Sequence, residues 1–179
     1  MKSKKQQRFD LLVLALINNP SASLLELAEA ADISKTTLYR LGGSRENLVP
    51  KAITYAVETA NNILDSFVPD VNDAQGSLLY LVQKGLEQAE SMQLIISCKH
   101  LRTEAVQCLA SRWNEKIDHF FLEGQKQGVF CMEVSAATLT EMLGALITGL
   151  IEAEQRGRVA KQDILTAIEK SFLYGVLMK

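Results

Sequence analysis

Residues 23–49 read SLLELAEAADISKTTLYRLGGSRENLV. Ser23 is followed three positions later by Glu26, the spacing of a capping box, in which side chain and backbone satisfy each other's free donors at a helix start. Behind that cap Leu24, Leu27, Ala28 and Ala31 recur with the helical period, which predicts a short helix with one apolar side. Asp32-Ile33 leaves room only for a tight turn, and Ser34 then caps a second short helix that Gly42-Gly43 ends. Ser44 caps the helix that follows. Two short helices joined by a tight turn have the layout of a helix-turn-helix, although an ordinary helical hairpin with solvated charges shares it.

Working outward, Phe9, Leu12, Val13, Leu16 and Ile17 fall on one face of a first helix that Pro20 stops. On the other side Val49, Ala52, Ile53, Ala56, Val57, Ala60, Leu64 and Phe67 form one long stripe that could join head to body. Pro50 lacks an N–H and crowds the carbonyl of Glu46, so either a kink or a helix start near Val49 is expected. After a break at residues 68–72, helical patterns cover 73–89, 91–98, 103–127, 135–156 and 161–178. Gly128 and Gly157 stand where helix-ending glycines belong. None of these segments alternates with the period of two that a strand requires, so the expectation is an all-α chain of about nine helices. A three-helix head, residues 1–50, precedes a helical-bundle regulatory and dimerisation body, residues 51–179.

The 179 residues are 47% hydrophobic, with 3 prolines, which fits packed helices and excludes a disordered or collagenous chain. The formal net charge of -2 hides an asymmetry: up to Lys51 there are 8 Lys+Arg against 5 Asp+Glu, and beyond it 11 against 16. A positive head, including Lys2, Lys4, Lys5 and Arg8, suits a phosphate backbone, whereas an acidic body is repelled by one. Residues 1–8 are polar and lack the apolar run of a signal peptide, so a cytoplasmic location is expected. The most apolar window, residues 136–151, contains Glu141 and falls short of the ~20 apolar residues of a membrane span, which points to a buried or interface helix and to no membrane. Cys98, Cys108 and Cys131 are odd in number and lie in amphipathic stretches, so reduced, buried thiols are expected.

The second helix of the motif carries residue types suited to DNA. Thr36 and Thr37 are small enough to let the backbone enter a major groove and can meet base edges or a thymine methyl. Lys35, Tyr39, Arg40 and Arg45 carry donors that reach phosphates. Ser23, at the start of the preceding helix, completes the DNA-binding set. The same stretch resembles the helix-turn-helix of TetR-family regulators. The similarity lies in Leu-Ala-Glu-Ala-Ala at residues 27–31, Ile33-Ser34-Lys35, Leu38-Tyr39-Arg40 and the Ser-basic-Glu-x-Leu block at residues 44–48. Leu41 and Gly42 depart from the family's usual His-Phe. The resemblance implies that Lys35, Thr36 and Thr37 face the groove while Tyr39 and Arg45 meet phosphates. It further implies a dimeric, DNA-binding transcriptional regulator, a repressor released from a near-palindromic double-stranded operator by a small apolar ligand. A DNA-bound assembly protein with no inducer is the alternative on the same fold.

In the body, apolar residues cover more than one side of the last two long helices, which therefore need more than one neighbour. Leu139, Leu143, Leu146, Leu150, Ile168, Phe172 and Val176 are assigned to a homodimer interface, with the protomer core as the competing reading. Trp113 and Ile117 on an inward stripe, with Tyr55, Tyr80, Gln83 and Asn114 beside the inward stripes, are candidates for an inducer pocket, and simple core filling competes with it. No nucleophile–base order or phosphate loop stands out, and His100 and His119 are isolated, so no enzyme is expected. Cys98, His100 and Cys108 fit no familiar metal spacing, and neither metal nor cofactor is expected.

Overall fold

The computed structural model describes residues 4–19, 21–41, 44–98 and 103–177, apart from the side chains of Lys5 and Arg45. Lys2, Pro20, Gly42, Gly43, His100 and Met178, used in the sequence reading, lie outside the described residues. The helices are α1 Lys4–Asn18, α2 Leu24–Ala30, α3 Lys35–Leu41, α4 Arg45–Ser66, α5 Ala74–Leu86, α6 Ala89–Cys98, α7 Glu104–Lys126, α8 Ala136–Gln155, α9 Asp163–Ala167 and α10 Tyr174–Val176. A 3-10 turn, Val71–Asp73, leads into α5, and a π-helical segment, Ile168–Leu173, joins α9 to α10. Among the described residues there is no strand, only an isolated bridge between Phe130 and Leu177. The fold is all-α, with a helix-turn-helix followed by a helical body, as the sequence predicts.

The chain divides into two compact units, Met1–Ala60 with Gln88–Val106, and Asn61–Glu87 with Gln107–Lys179. In the first, α1 packs on α2 and on α6, and α2 packs on α3. Leu12, Val13, Leu27, Ala28, Leu38, Leu48, Ala52, Ala56 and Leu94 are all buried there. The helix start near Val49 does not occur: α4 begins at Arg45 and runs through Pro50. Leu48 is almost wholly buried, and the amide of Asn47 donates to the carbonyl of Ser44 at 3.3 Å, so tertiary burial holds the turn that proline disfavours. Lys51 Nζ, one residue past the proline, donates to the carbonyl of Leu41 at the end of α3 (3.4 Å).

The second unit is centred on aromatic rings. Phe120, Phe121 and Phe130 are mutual neighbours, with centroids 4.9–5.8 Å apart, and Phe67 and Phe172 close the cluster at 6.4 and 6.1 Å. The Phe120–Phe121 pair is tilted and the others are edge-on, contacts that add about 0.5–1.5 kcal/mol each beyond area burial. The end of α4 is fastened to α7 by Arg112, which donates to Asp65 (2.5 Å) and Asn61, and by Lys116, which donates to the carbonyl of Leu64 and lies over the Phe67 ring. Buried Gln125 donates to the carbonyls of Cys131 and Val134 at 2.7 and 2.6 Å and so shapes the loop after α7. Gly128 and Gly157 carry φ of +73° and +67° and end α7 and α8, as their positions predict. In each case the residue after the glycine donates back five positions, Val129 to Gly124 and Arg158 to Ala153, the bond of a Schellman motif.

Ser135 caps α8 by accepting from the amide of Thr138. This 20-residue helix is long and apolar enough, by length and composition, to cross a membrane, yet only 22% of its apolar stretch is buried within the protomer. All three cysteines are free. Cys98 is buried, and burial pushes its thiol pKa up, whereas Cys131 is partly exposed and Cys108 exposed, so the expectation of buried thiols holds for one of the three.

Candidate nucleic-acid interface

The geometry starts at the two caps. Ser23 Oγ accepts from the amide of Glu26 (3.2 Å) while the Ser23 amide donates to Glu26 Oε2 (2.6 Å), the complete capping box. That backbone bond holds the Glu26 carboxyl below its usual pKa. At the next helix Ser34 Oγ accepts from the amide of Thr37 (3.2 Å) and shares a hydrogen bond with the Thr37 hydroxyl (2.9 Å). Between them the turn is closed by two backbone bonds, Ile33 to Ala28 (3.0 Å) and Asp32 to Glu29 (3.1 Å), with Asp32 at φ +49°.

These bonds fix α3 with Leu38 turned into the core and Lys35, Thr36, Tyr39 and Arg40 exposed on the outer arc. Tyr39 is 56% exposed, unusual for an aromatic with a neighbouring core to enter. The arc joins two cations, a phenol and a small hydroxyl within two helical turns, which can meet phosphates and a groove floor together. Thr37 is half-buried and its hydroxyl is engaged by the cap, so Thr36 is the freer of the two threonines. Ser23 is exposed at the start of α2. The Arg45 side chain lies outside the described residues, and its backbone opens α4. Arg8, counted in the positive charge of the head, is paired with Asp32 at 2.9 Å.

The other candidate residues are distributed differently. Leu139, Leu143, Ile168, Phe172 and Val176 are buried in the protomer's own core, while Leu146 and Leu150 remain half-exposed. The outward side of α8 instead presents Met142, Ala145, Leu146, Gly149 and Leu150, a stripe that helical period alone cannot distinguish from the inward one. Of the ligand candidates, Ile117 is core, Asn114 and Tyr80 are exposed, and Trp113 is half-buried with Nε1 3.9 Å from where a Cβ on Gly144 would stand. Tyr55 belongs to the other unit. Only Gln83 lines the open groove of about 600 Å³ described in this unit, together with Leu86, Glu87, Ala160, Lys161, Gln162 and Leu165. Among the described residues no group of three metal-ligating side chains converges.

No protein-family model matches the chain. The chain is 33% identical over 167 residues to the HTH-type transcriptional regulator NfxB of Pseudomonas aeruginosa, covering 92% of this chain and 89% of that one. In fold it is similar to a TetR-family transcription regulator from Marinobacter aquaeolei (21% identity, TM-score 0.62, 98% and 97% of the two chains). It is also similar to AibR, solved in complex with isovaleryl coenzyme A and operator DNA (13% identity, TM-score 0.66, 96% and 99% covered). A helix-turn-helix with an exposed basic arc, in a chain related along nearly its whole length to NfxB, makes this protein an HTH-type, DNA-binding transcriptional regulator with the fold of the TetR-family regulators.

Proposed function

We propose that the chain is a cytoplasmic repressor that binds a near-palindromic DNA operator as a homodimer and leaves it when a small apolar ligand occupies the body. The observation that carries DNA recognition is the outer arc of α3, with Lys35, Tyr39 and Arg40 for phosphates and Thr36 for base edges, supported by Ser23 and Arg45 at the neighbouring helix starts. The functional division falls at residue 50, so that residues 51–179 regulate and dimerise. No catalytic step, metal or cofactor enters this reading.

The apolar outward side of α8 supports dimerisation, because Met142, Leu146 and Leu150 on one helix face need cover, and a second copy offers the same stripe by two-fold symmetry. A symmetric pair of recognition helices reads inverted half-sites, which is why the operator is expected to be near-palindromic. AibR, solved in complex with isovaleryl coenzyme A and operator DNA, supports a small-molecule site in a protein of this fold, and release by the ligand is the part of the reading that the screen below tests. Of the candidates for ligand contact, Gln83, which lines the groove beside Leu86 and Leu165, and half-buried Trp113 are kept.

Selection from a random duplex library tests the reading. Enrichment of an inverted repeat supports it, and a screen of apolar metabolites against the enriched duplex then looks for release with a matching change in Trp113 emission. A library that enriches nothing at moderate salt refutes DNA recognition. Sequence-specific binding that no apolar compound weakens favours the assembly role without an inducer.

A further inference from the structure

Among the described residues three turns end a helix with a positive-φ residue followed by the same back-bonding pattern, and two of the three use glycine. Gly128 and Gly157 follow the usual logic, since glycine has no Cβ to clash in the left-handed region. The third is the turn between α2 and α3, and it uses Asp32 at φ +49°. A residue less suited to the backbone stands at the entry to the recognition helix, which points to a role for its side chain.

The Asp32 carboxylate is 90% exposed and turns to one group, the Arg8 guanidinium of α1, with Nη2 donating to Oδ2 at 2.9 Å. Arg8 is itself half exposed, so the pair gains little stability from Coulomb attraction screened by water. Its position is more informative than its strength. Asp32 stands two residues before the Ser34 cap and three before Lys35, the first residue of α3, while Arg8 sits one residue before Phe9, which is buried in the core of the same unit. The pair therefore ties the turn to a helix anchored by its own apolar face.

We propose that Arg8 and Asp32 are a positioning pair that sets the angle at which α3 meets DNA, rather than a stabilising bridge or a direct phosphate contact. This rests on the DNA-binding reading above. A tether of this kind leaves the number of phosphate contacts unchanged and acts through the geometry of those already made by α3. Replacing Asp32 by glycine relieves the backbone while cutting the tether, so stability and DNA affinity separate: a local stabilising role moves both together, and a positioning role moves them apart.

The test uses the full chain and the duplex that the wild-type protein itself enriches from a random library. Affinity over a range of salt, and the melting temperature, are measured for the wild type, Asp32→Gly, Asp32→Asn, Arg8→Met and the double variant Arg8→Met with Asp32→Asn. Asparagine tolerates the left-handed region, so the second Asp32 variant keeps the turn while weakening the bond. The expected result is a loss of about three- to fivefold in affinity for each single variant, the range of an exposed ion pair. Asp32→Gly should melt no lower than the wild type, the salt slope should hold, and the double variant should bind no worse than either single one. The proposal is overturned if Asp32→Asn or Asp32→Gly binds as well as or better than the wild type. It is equally overturned if Arg8→Met alone lowers the salt slope by about one, the mark of a phosphate contact made by Arg8 itself. A wild-type chain that enriches no duplex sinks the DNA-binding reading instead, which is a different failure.

Discussion

Gly124 lies in the last turns of α7, and a methyl added to it meets a wall. An ideal Cβ there stands 2.5 Å from Cε2 of Phe130 and nearer still to Cδ2, whereas carbons at ease keep about 3.5–4.0 Å. The ring has nowhere to go: Phe130 is fully buried, stacked edge-on against Phe120 and Phe121, and its neighbour Cys131 is held by a 2.8 Å bond from its amide to the carbonyl of Val176. Two effects oppose each other in Gly124→Ala. Alanine gains about 1 kcal/mol of helix propensity, while forcing extra atoms into a packed core costs about 1–3 kcal/mol or more. An overlap beyond 1 Å against a ring held on several sides belongs at the upper end, so the net loss should be about 1–2 kcal/mol. For a chain of this size that lowers the melting temperature by about 3–6 °C. Gly85→Ala in α5, with no atom within 4 Å of the new methyl, is the control and should gain about 0.5–1 kcal/mol. Thermal unfolding followed by circular dichroism reads both. If Gly124→Ala melts at or above the wild type while Gly85→Ala behaves as stated, the Phe130 ring does not fill that space and the packing argument is wrong.

Glutamates placed on the outward side of α8, Met142→Glu with Leu146→Glu, should give a folded, helical monomer by sedimentation that has lost DNA affinity; a persisting dimer refutes that face as the interface. Leu143→Glu, one residue along but fully buried, should unfold the body instead, costing several kcal/mol. Because the folded Glu26 pKa is lowered, its contribution to the start of α2 is present above the free-carboxyl value of 4.5 and is lost as the pH falls through the lower, folded value. Amide exchange of α2 should therefore accelerate with acid, and Glu26→Gln should flatten that pH dependence. Gln125→Leu leaves the carbonyls of Cys131 and Val134 without their donor and should lower stability by about 1–3 kcal/mol in urea unfolding.

What the sequence reveals and what it hides divides along chain distance. Ser23 with Glu26, Ser34 with Thr37, and the glycines after α7 and α8 are legible because each device closes within five residues. The same locality makes the α3 arc readable, since Leu38 points inward whenever its neighbours point out. Of the two outcomes that Pro50 allows, a later helix start does not occur, because the turn before it carries Leu48 into the core. The two sides of α8 are apolar alike, so period cannot tell that Leu139 and Leu143 fill the protomer's core while Met142 and Leu146 stay outside. The ligand candidates are scattered for a related reason, being drawn from stripes whose partners depend on contacts between helices far apart in sequence. Pairing of α1 with α6, and of Arg8 with Asp32, has no local signal at all.

The central claim is that the exposed arc of α3, presented twice by a two-fold dimer, reads DNA. Its most direct test is a titration of the enriched duplex and of a scrambled duplex of equal length, at physiological salt, with the number of protomers bound measured by sedimentation. The account predicts two protomers per inverted repeat, an affinity for the enriched duplex about a thousandfold or more above that for the scrambled one, and collapse of that ratio in Thr36→Val with Lys35→Ala. Equal affinity for both duplexes, or a ratio untouched by changing the arc, would contradict it.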